Sequence, residues 1–509
     1  MDASTLTEHV VVIAGGGPTG MMLAAELTLA GVDVVIVERR ATPELDSPRP
    51  RGLHSRTIEM LDQRGVADRF LVEGQPYPAV GYAYIGLDIS DFPTRHNYLL
   101  GISQRDFERI LAGWIEELGV PMIRACDVVG FTQDDAGVDV ALSDDSTLRA
   151  QYLVGCDGGR SLVRKTAGID FPGFDPSTSF VIAEVEMADD PPLGIRPEGG
   201  GIGPANPGGG DRYGVAVREE HTDHAADATM QDLRDALVAA YGTDFGASSP
   251  TWISRFTDMT RQAETYRSGR VLLAGDASHV HAPLGGQGLN VGVQDAVNLG
   301  WKLAQVVNGT SPESLLDTYH AERHPVGARV QQNTMAQTAL NNPDDRHRAL
   351  HATMTELLGM DEPRRRIAGM IAGLDVHYDL GEGHPLLGRR MPDLDLQTID
   401  GPTRAFALLH EARPVLLSLT GSDGFDVTPW AGRVRFVDAS YDGVWEIPIV
   451  GEIAGPPAVL IRPDGHVAWV GDLADPELPR ALERWFGPPT PAGPRTTSPS
   501  PSESTTAVP

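Results

Sequence analysis

Six residues near the N-terminus could bind the phosphates of a nucleotide. They read Gly15-Gly16-Gly17-Pro18-Thr19-Gly20, which places glycines in a G-x-G-x-x-G pattern. In such a turn the first glycine permits a tight bend, the second lets a pyrophosphate approach the backbone, and the third lets helix and strand pack closely. Backbone N–H groups and the positive end of the following helix stabilise negative charge. The pattern therefore predicts a dinucleotide site at Gly15, Gly17 and Gly20.

The residues around this turn predict the βαβ unit that such a site requires. Residues 10–14 are a continuous apolar run, residues 21–30 have apolar side chains at helical spacing, and residues 34–37 form a second apolar run. Glu38 ends that run 18 residues after Gly20, where a carboxylate can accept hydrogen bonds from a ribose diol. This order favours dinucleotide binding over a merely structural turn.

Two later segments each combine a buried strand with a glycine and an aspartate. They are residues 152–161, which contain Asp157, and residues 270–279, which contain Asp276. Either one alone could be a strand end followed by an ordinary helix cap. Together with the glycine turn, they predict three distant segments that meet at one edge of a sheet.

These three segments, in this order, resemble the FAD-dependent aromatic hydroxylases built like para-hydroxybenzoate hydroxylase. The resemblance covers roughly the first 340 residues. Two further stretches, Arg51-Gly52-Leu53-His54-Ser55-Arg56-Thr57 and Gly285-Gly286-Gln287-Gly288-Leu289-Asn290, resemble the branch that acts on polyketide antibiotics, such as rifampicin monooxygenase and the tetracycline and angucycline hydroxylases. The resemblance implies FAD as cofactor, NADPH or NADH as a transient hydride donor, O2 as co-substrate, and an aromatic or polyketide small-molecule substrate.

The resemblance also implies the fold: an α/β protein with a Rossmann-like FAD-binding domain, an inserted β-sheet substrate domain and a C-terminal thioredoxin-like domain. The expected boundaries are 1–77, 101–179 and 261–385 for the FAD-binding domain with a helical linker, 78–100 and 180–260 for the substrate domain, 386–487 for the C-terminal domain and 488–509 for a disordered tail. The C-terminal part contains no Cys-x-x-Cys, so we expect it to be redox-inert and to serve packing or dimerisation.

Roles for individual positions follow from the same resemblance. The FAD pyrophosphate would contact Gly15, Gly17, Thr19, Gly20 and Arg51, and the adenosine side would contact Glu38, Arg39 and the backbone of Val128. Gln104 would contact the ribityl chain or flavin, Asp276 the ribityl hydroxyls or phosphate, and Asp157 belongs to a segment that handles both FAD and NAD(P)H. The isoalloxazine ring would be lined by Pro283, Gly285, Gly288, Leu289 and Asn290.

A helix predicted from Leu289 to Val307 gives the last assignment a physical reason. Its positive end points towards the preceding glycine loop and can stabilise the negative charge of a reduced flavin by roughly 0.3–2 kcal/mol. The alternative is an ordinary helix N-terminus preceded by a flexible loop.

No protein nucleophile, metal-binding cluster or acid–base pair stands out, which is typical of enzymes whose cofactor performs the chemistry. Hydroxylation through a flavin C4a-hydroperoxide is the activity that the resemblance implies. His54, His279 and His281 lie near the flavin segments, where packing or hydrogen-bonding roles are more typical than catalysis. Three alternatives stay open: Baeyer–Villiger or antibiotic-inactivating monooxygenation, reduction of a double bond, and non-catalytic binding of a flavin or ligand.

Composition sets outer limits on the function. A formal charge of −29 argues against nucleic acid or an anionic membrane as a partner, and 509 residues predict two or three domains. Cys126 and Cys156 lack the paired spacing of a metal or redox motif, and the N-terminus does not resemble a signal peptide. We therefore expect a cytoplasmic protein, monomeric or homodimeric.

Two segments outside the motifs also carry predictions. Nine of the thirteen residues from 198 to 210 are glycine or proline, which predicts a mobile loop within a β-rich region. Arg196 and Tyr213 flank this segment and could border the substrate pocket. Arg462-Pro463-Asp464-Gly465 predicts a hairpin turn between two strands.

Overall fold

The computed structural model describes residues 7–45, 50–196, 200–205, 210–219, 227–342, 344–421 and 424–490, without the side chains of Thr7, Pro50, Arg51, Ile195 and Arg196. No helix in these ranges combines the length and the apolar character needed to cross a bilayer. The predicted tail falls outside the described residues from 491 onward. Before that point, Pro488 accepts a hydrogen bond from Arg433, and Thr490 donates one to Pro429.

A mostly parallel eight-stranded sheet forms the core of the first unit. Its central strands are rich in valine, isoleucine and leucine and are buried on both faces, as expected for a parallel sheet covered by helices. The strand order is Arg267–Ser268, Val271–Leu273, Thr147–Gly155, Thr7–Ala14, Val34–Glu38 and Met122–Arg124, with Val138–Leu142 and Val128–Gln133 added antiparallel. The helices of this unit are Pro18–Leu29, Ser55–Asp62, Ala67–Leu71, Gln104–Glu117, Leu162–Thr166, Gln287–Val307 and Asp317–Leu340.

Small sheets connect this unit to the second one. They consist of Pro50–Leu53 with Leu99–Ser103 and Gln75–Tyr77, of Ala79–Tyr82 with Ile85–Asp88, and of Gly173–Phe174 with Thr260–Gln262 and His279–Val280.

The second unit is a five-stranded antiparallel sheet that carries the helix Met230–Tyr241 on one face. Its strand order is Gly194–Arg196, Gly200–Pro204, Arg212–Arg218, Ser179–Glu186 and Ser248–Thr257. Val181, Val217 and their alternating neighbours pack against the helix, so the residues between them face the other side of the sheet.

The prediction of a mobile loop over residues 198–210 was wrong for Gly200–Pro204, which forms a strand beside Arg212–Arg218. Glycine is required at position 200 because the backbones of the two strands approach closely there, not because the segment is mobile. Gly200 has φ +104°, and a β-carbon on it would lie 1.8 Å from the carbonyl oxygen of Ala216. Residues 197–199 and 206–209 lie outside the described part of the chain.

The C-terminal unit follows the helices Asp345–Leu358 and Asp361–Ala372 and has the expected thioredoxin-like arrangement. Its sheet has the order Gly401–Arg404, Asp395–Thr398, Arg435–Ser440, Val415–Ser418, Ala458–Ile461 and Val467–Gly471, with the helix Glu477–Phe486 and a small hairpin of Trp445–Ile447 and Gly451–Ile453. The hairpin turn predicted at residues 462–465 is confirmed, because Ala458–Ile461 and Val467–Gly471 pair antiparallel across it.

Candidate cofactor and substrate site

Four neighbouring parallel strands end at one edge of the first sheet. Ala14 pairs with Val37 on one side and with Gly155 on the other, and Gly155 pairs with Leu273. The glycine turn (residues 15–20), Glu38, Asp157 and Asp276 therefore all follow the carboxyl ends of adjacent strands. Ligands of open α/β sheets bind at this edge. The structure thus brings together the three segments that the sequence predicted to meet.

The glycine turn leaves an open approach to uncapped backbone N–H groups. Gly15 has φ +105°, and a β-carbon there would lie 2.4 Å from the carbonyl oxygen of Cys156, so this position admits only glycine. A β-carbon on Gly17 would meet no atom within 4 Å. The helix Pro18–Leu29 begins directly after Gly17 with no side-chain cap. This combination of open space and free donors fits a pyrophosphate.

Glu38 is held beside the glycine turn by Arg40. The Oε2 atom of Glu38 accepts a hydrogen bond from Gly16 N at 2.6 Å, and Oε1 accepts two from Arg40, both at 2.9 Å. Burial opposes ionisation of Glu38, but the bonds from Arg40 and Gly16 outweigh it and hold the pKa of Glu38 below its usual value. Glu38 is therefore an anion at neutral pH.

Arg40, next to the predicted Arg39, forms a cluster with Glu38 and Glu108. The contact predicted between Arg39 and the adenosine side stays a prediction. Arg39 is exposed, whereas Arg40 donates to Glu108 at 2.9 Å and to the carbonyl oxygen of Gly16 at 3.2 Å. Gln104 reaches this cluster through Glu108, to which it donates at 2.7 Å. Sequence reasoning missed Arg40 and Glu108. Two consecutive arginines after a strand gave no signal as to which one would turn inward.

Two further predicted positions can be placed only in part. Arg51 lies in the strand Pro50–Leu53, and its side chain is outside the described residues. Val128 begins a strand two residues after Cys126, whose N–H donates to the carbonyl oxygen of Glu38 at 3.3 Å. The backbone near Val128 thus runs past the adenosine side of the predicted site.

Asp157 presents a buried acceptor that no described residue satisfies. Its Oδ2 atom accepts a hydrogen bond from Val163 N at 3.0 Å, while its Oδ1 atom is buried without a partner among the described residues. A buried carboxylate oxygen is costly without a donor, so this atom fits the hydroxyl of a bound group. Asp276 is exposed and faces Gly288, where a β-carbon would lie 3.9 Å from its Oδ1 atom.

The loop from Pro283 to Gly286 is fixed by Asn290 and His54. The amide of Asn290 donates to the carbonyl oxygens of Gly52 and Gly286 and accepts from His54 N, each at 2.9 Å. Burial lowers the pKa of His54 to about 4, against weaker opposing hydrogen bonds to the backbone of Gly285 and Ile371. His54 is therefore a neutral packing and hydrogen-bonding residue.

The helix Gln287–Val307 starts directly behind this loop with no side-chain cap. The sequence placed its start two residues later, at Leu289. Leu289 is partly exposed in the first turn, next to the buried Asn290. The loop and the uncapped helix end lie next to each other, and their predicted contact with the flavin ring stays a prediction.

A cavity of about 610 Å³ lies between this loop and the open face of the second sheet. Ala282 and Leu284 form one wall, and Arg218, Phe180 and Phe256, neighbours in one cross-strand row, form the other. The rings of Phe180 and Phe256 are stacked with their centroids 5.0 Å apart. Tyr213 is not part of the lining, and the Arg196 side chain lies outside the described residues. The volume and the aromatic wall suit a polycyclic ligand.

Comparisons with known proteins agree with this geometry. Residues 8–334 match the family described as FAD binding domain, and residues 384–489 match the family described as aromatic-ring hydroxylase, C-terminal. Rifampicin monooxygenase from Streptomyces venezuelae is 45% identical over 94% of this chain and 98% of its own length.

Two solved structures extend the comparison. The OxyS anhydrotetracycline hydroxylase from Streptomyces rimosus has a TM-score of 0.87 and 43% identity, covering 95% of this chain and all of its own. The Diels–Alderase PyrE3 of pyrroindomycin biosynthesis has a TM-score of 0.83 and 37% identity, covering 94% of this chain and 99% of its own. The same fold is thus found in proteins named for oxygenation and in one named for ring formation.

Proposed function

The chain belongs to the FAD-dependent aromatic-ring hydroxylases, and we propose that it hydroxylates an aromatic, polycyclic polyketide-type substrate with O2 and NADPH or NADH. The single observation that carries the proposal is the cavity of about 610 Å³, which joins the aromatic sheet wall to the loop at Ala282 and Leu284. Bound FAD supplies the acceptance of hydride from the nicotinamide and the activation of O2.

The protein's own residues bind, orient and exclude water. Gly17 and the uncapped helix behind it would hold the pyrophosphate, and Glu38 the ribose diol. Asp157, whose Oδ1 atom has no partner among the described residues, and the exposed Asp276 would bind the middle of the cofactor. The helix end behind Gly286 would stabilise negative charge on the reduced ring. Phe180 and Phe256 would hold the substrate ring flat against the reactive face, which keeps water away from it.

In this proposal, NADPH or NADH does not need a second G-x-G-x-x-G turn of its own. Among the described residues, the G-x-G-x-x-G turn follows the strand Thr7–Ala14, and the strands of the second unit form an antiparallel sheet. We propose that NADPH or NADH reaches the same flavin edge as the substrate.

The test begins with purification, an absorption spectrum, and titration of the apoprotein with FAD. NADPH or NADH consumption is then measured with polycyclic phenols, rifamycins and tetracyclines under 18O2. We expect substrate-stimulated oxidation of the nicotinamide and one 18O atom in the product. A protein that binds FAD but converts a substrate under argon without consuming the nicotinamide would instead act in ring formation. No substrate-stimulated nicotinamide oxidation with any compound would indicate non-catalytic binding, and a reduced product without 18O would indicate a double-bond reductase.

NMR of the product separates ring hydroxylation from Baeyer–Villiger insertion, because both reactions add one oxygen atom. Loss of antibacterial potency of a converted antibiotic would favour inactivation over biosynthesis. We also propose that the protein works in the cytoplasm as a monomer or homodimer and without nucleic acid. Light scattering of the purified holoenzyme tests the oligomeric state.

A further inference from the structure

The hairpin turn of the C-terminal unit (residues 462–466) is buried rather than exposed. Arg462, Asp464 and His466 have 0%, 1% and 2% of their surface accessible. A Pro-Asp-Gly turn normally faces solvent, so its burial against the first unit requires contacts that compensate its charges. Those contacts are made to Glu322 in the helix Asp317–Leu340, to Asn298 in the helix Gln287–Val307, and to Arg64.

Glu322 forms an ion pair with Arg462 of this turn. Arg462 donates to both carboxylate oxygens of Glu322, at 2.6 and 2.8 Å. Lys302 and Asn298, from the helix Gln287–Val307, donate to the same carboxylate at 2.8 and 2.7 Å, and Asn298 also reaches Asp464 at 3.3 Å. Glu322 is thereby fixed between the hairpin turn and the helix that begins at the flavin loop.

Arg323, next to Glu322 in the chain, links this cluster to the end of the strand Val271–Leu273. Arg323 donates to Asp295 Oδ1 at 2.7 Å. Asp295, fully buried, accepts through Oδ2 from His279 at 2.7 Å and from the N–H of Gly275 at 3.2 Å. Gly275 directly precedes Asp276, so this chain of bonds ends at the cofactor edge.

A second route leads from the same turn. His466 stacks on Tyr378 with ring centroids 4.2 Å apart, and the Tyr378 hydroxyl accepts from Arg323 at 3.2 Å. On the other side of the turn, Arg64 donates to the carbonyl oxygen of Pro463 and binds both oxygens of Glu26 at 2.7 and 2.8 Å. Glu26 belongs to the helix that follows the glycine turn.

We infer that the hairpin turn of the C-terminal unit is a positioning element of the FAD site. It holds Glu322 and Arg323, and through Asp295 it holds the Gly275–Asp276 turn in the position that receives the cofactor. The C-terminal unit thus contributes to FAD affinity through this turn. The inference rests on the FAD site alone and does not depend on which substrate is oxidised.

The test compares two ways of weakening the C-terminal unit. Glu322→Gln and Asp464→Asn remove charges of the connecting cluster, while Leu417→Ala makes a cavity in the core of the C-terminal sheet, where Leu417 pairs with Val459 and carries none of these charges. Each full-length apoprotein is titrated with FAD by flavin fluorescence, and its unfolding is measured in parallel. We expect the Kd for FAD to rise at least tenfold for Glu322→Gln and Asp464→Asn and less than twofold for Leu417→Ala, with a changed visible spectrum of the bound flavin only in the first two.

Two outcomes would overturn the inference: FAD affinity that follows overall stability in all three variants, or wild-type affinity in Glu322→Gln. If the charge variants fail to fold, Asn298→Ala takes their place. It leaves Arg462 paired with the carboxylates of Glu322 and Asp464. At least a threefold weaker FAD complex is then expected, and wild-type affinity would count against the inference. If the wild-type apoprotein itself did not bind FAD, the proposed function would fail instead.

Discussion

The hydroxyl of Thr19 lies against Gly292, and Gly275 borders the same contact. A β-carbon on Gly292 would be 2.4 Å from Thr19 Oγ1, and one on Gly275 would be 2.6 Å from it. Three elements therefore meet at the Thr19 side chain. They are the first turn of the helix Pro18–Leu29, the turn after the strand Val271–Leu273, and the helix Gln287–Val307. Any added atom here must rotate Thr19 or separate the helices.

Substitution Gly292→Ala should weaken FAD binding tenfold or more and cost about 1–3 kcal/mol of stability, because overpacking forces side chains or backbone to shift. Gly113→Ala is the matched control. It lies in the helix Gln104–Glu117 with nothing near its β-carbon, and it should be neutral or stabilising by up to about 1 kcal/mol. FAD titration and urea unfolding measure both effects. Unchanged FAD affinity in Gly292→Ala would contradict this packing argument.

Gly17→Ala should leave the apoprotein intact while lowering FAD affinity by about a hundredfold. Its β-carbon meets no protein atom within 4 Å, but it stands where a pyrophosphate must approach. Gly432→Ala, also in open space but in the C-terminal unit, controls for the substitution itself. Circular dichroism of both apoproteins should match wild type. If Gly17→Ala binds FAD normally, the phosphates do not lie at this turn.

Asn290→Ala should lower the free energy of unfolding by about 2–4 kcal/mol, since three hydrogen bonds are lost and buried backbone groups are left unpaired. The released loop should also bind FAD more weakly. Asn308→Ala, at the exposed end of the same helix, should change stability by no more than about 0.5 kcal/mol. Equal effects of the two substitutions in chemical denaturation would show that Asn290 does not fix the loop.

The stability of the protein should depend on His54 below neutral pH. Burial lowers the pKa of His54 from 6.5 to about 4, so the unfolded chain binds a proton in this window and the folded chain does not. The stability of wild type should therefore fall relative to His54→Phe as pH drops from 6.5 to 4, by up to about 3 kcal/mol. Above pH 7 the difference should be constant. Urea unfolding at several pH values checks this, and parallel curves for the two proteins would refute it.

Phe256→Ala should divert NADPH or NADH oxidation from product to hydrogen peroxide. The substitution removes the ring stacked on Phe180 and opens the cavity wall to water. The ratio of product to nicotinamide consumed should fall severalfold while FAD affinity stays unchanged. Phe425→Ala, in the C-terminal unit, should keep the wild-type ratio. A normal ratio in Phe256→Ala would remove the aromatic wall from the proposed mechanism.

The glycine turn, the two Asp-containing strand ends and the hairpin at 462–465 could be predicted from the sequence because each is decided within about thirty residues. A buried parallel strand, a tight turn and an uncapped helix each leave a local pattern of residue types. Glu38 and Asp157 could be placed at one edge for the same reason, since parallel strands carry their carboxyl ends to the same side.

Other features were decided only when distant segments came together. The inward position of Arg40 depends on Glu108, which lies 68 residues away along the chain, and the strand Gly200–Pro204 exists because Arg212–Arg218 offers it a partner. The burial of Arg462 depends on Glu322, 140 residues earlier in the chain. Local sequence records the backbone geometry that a residue can adopt, but charge pairing and close packing belong to two segments at once. Their outcome is fixed only by the tertiary structure.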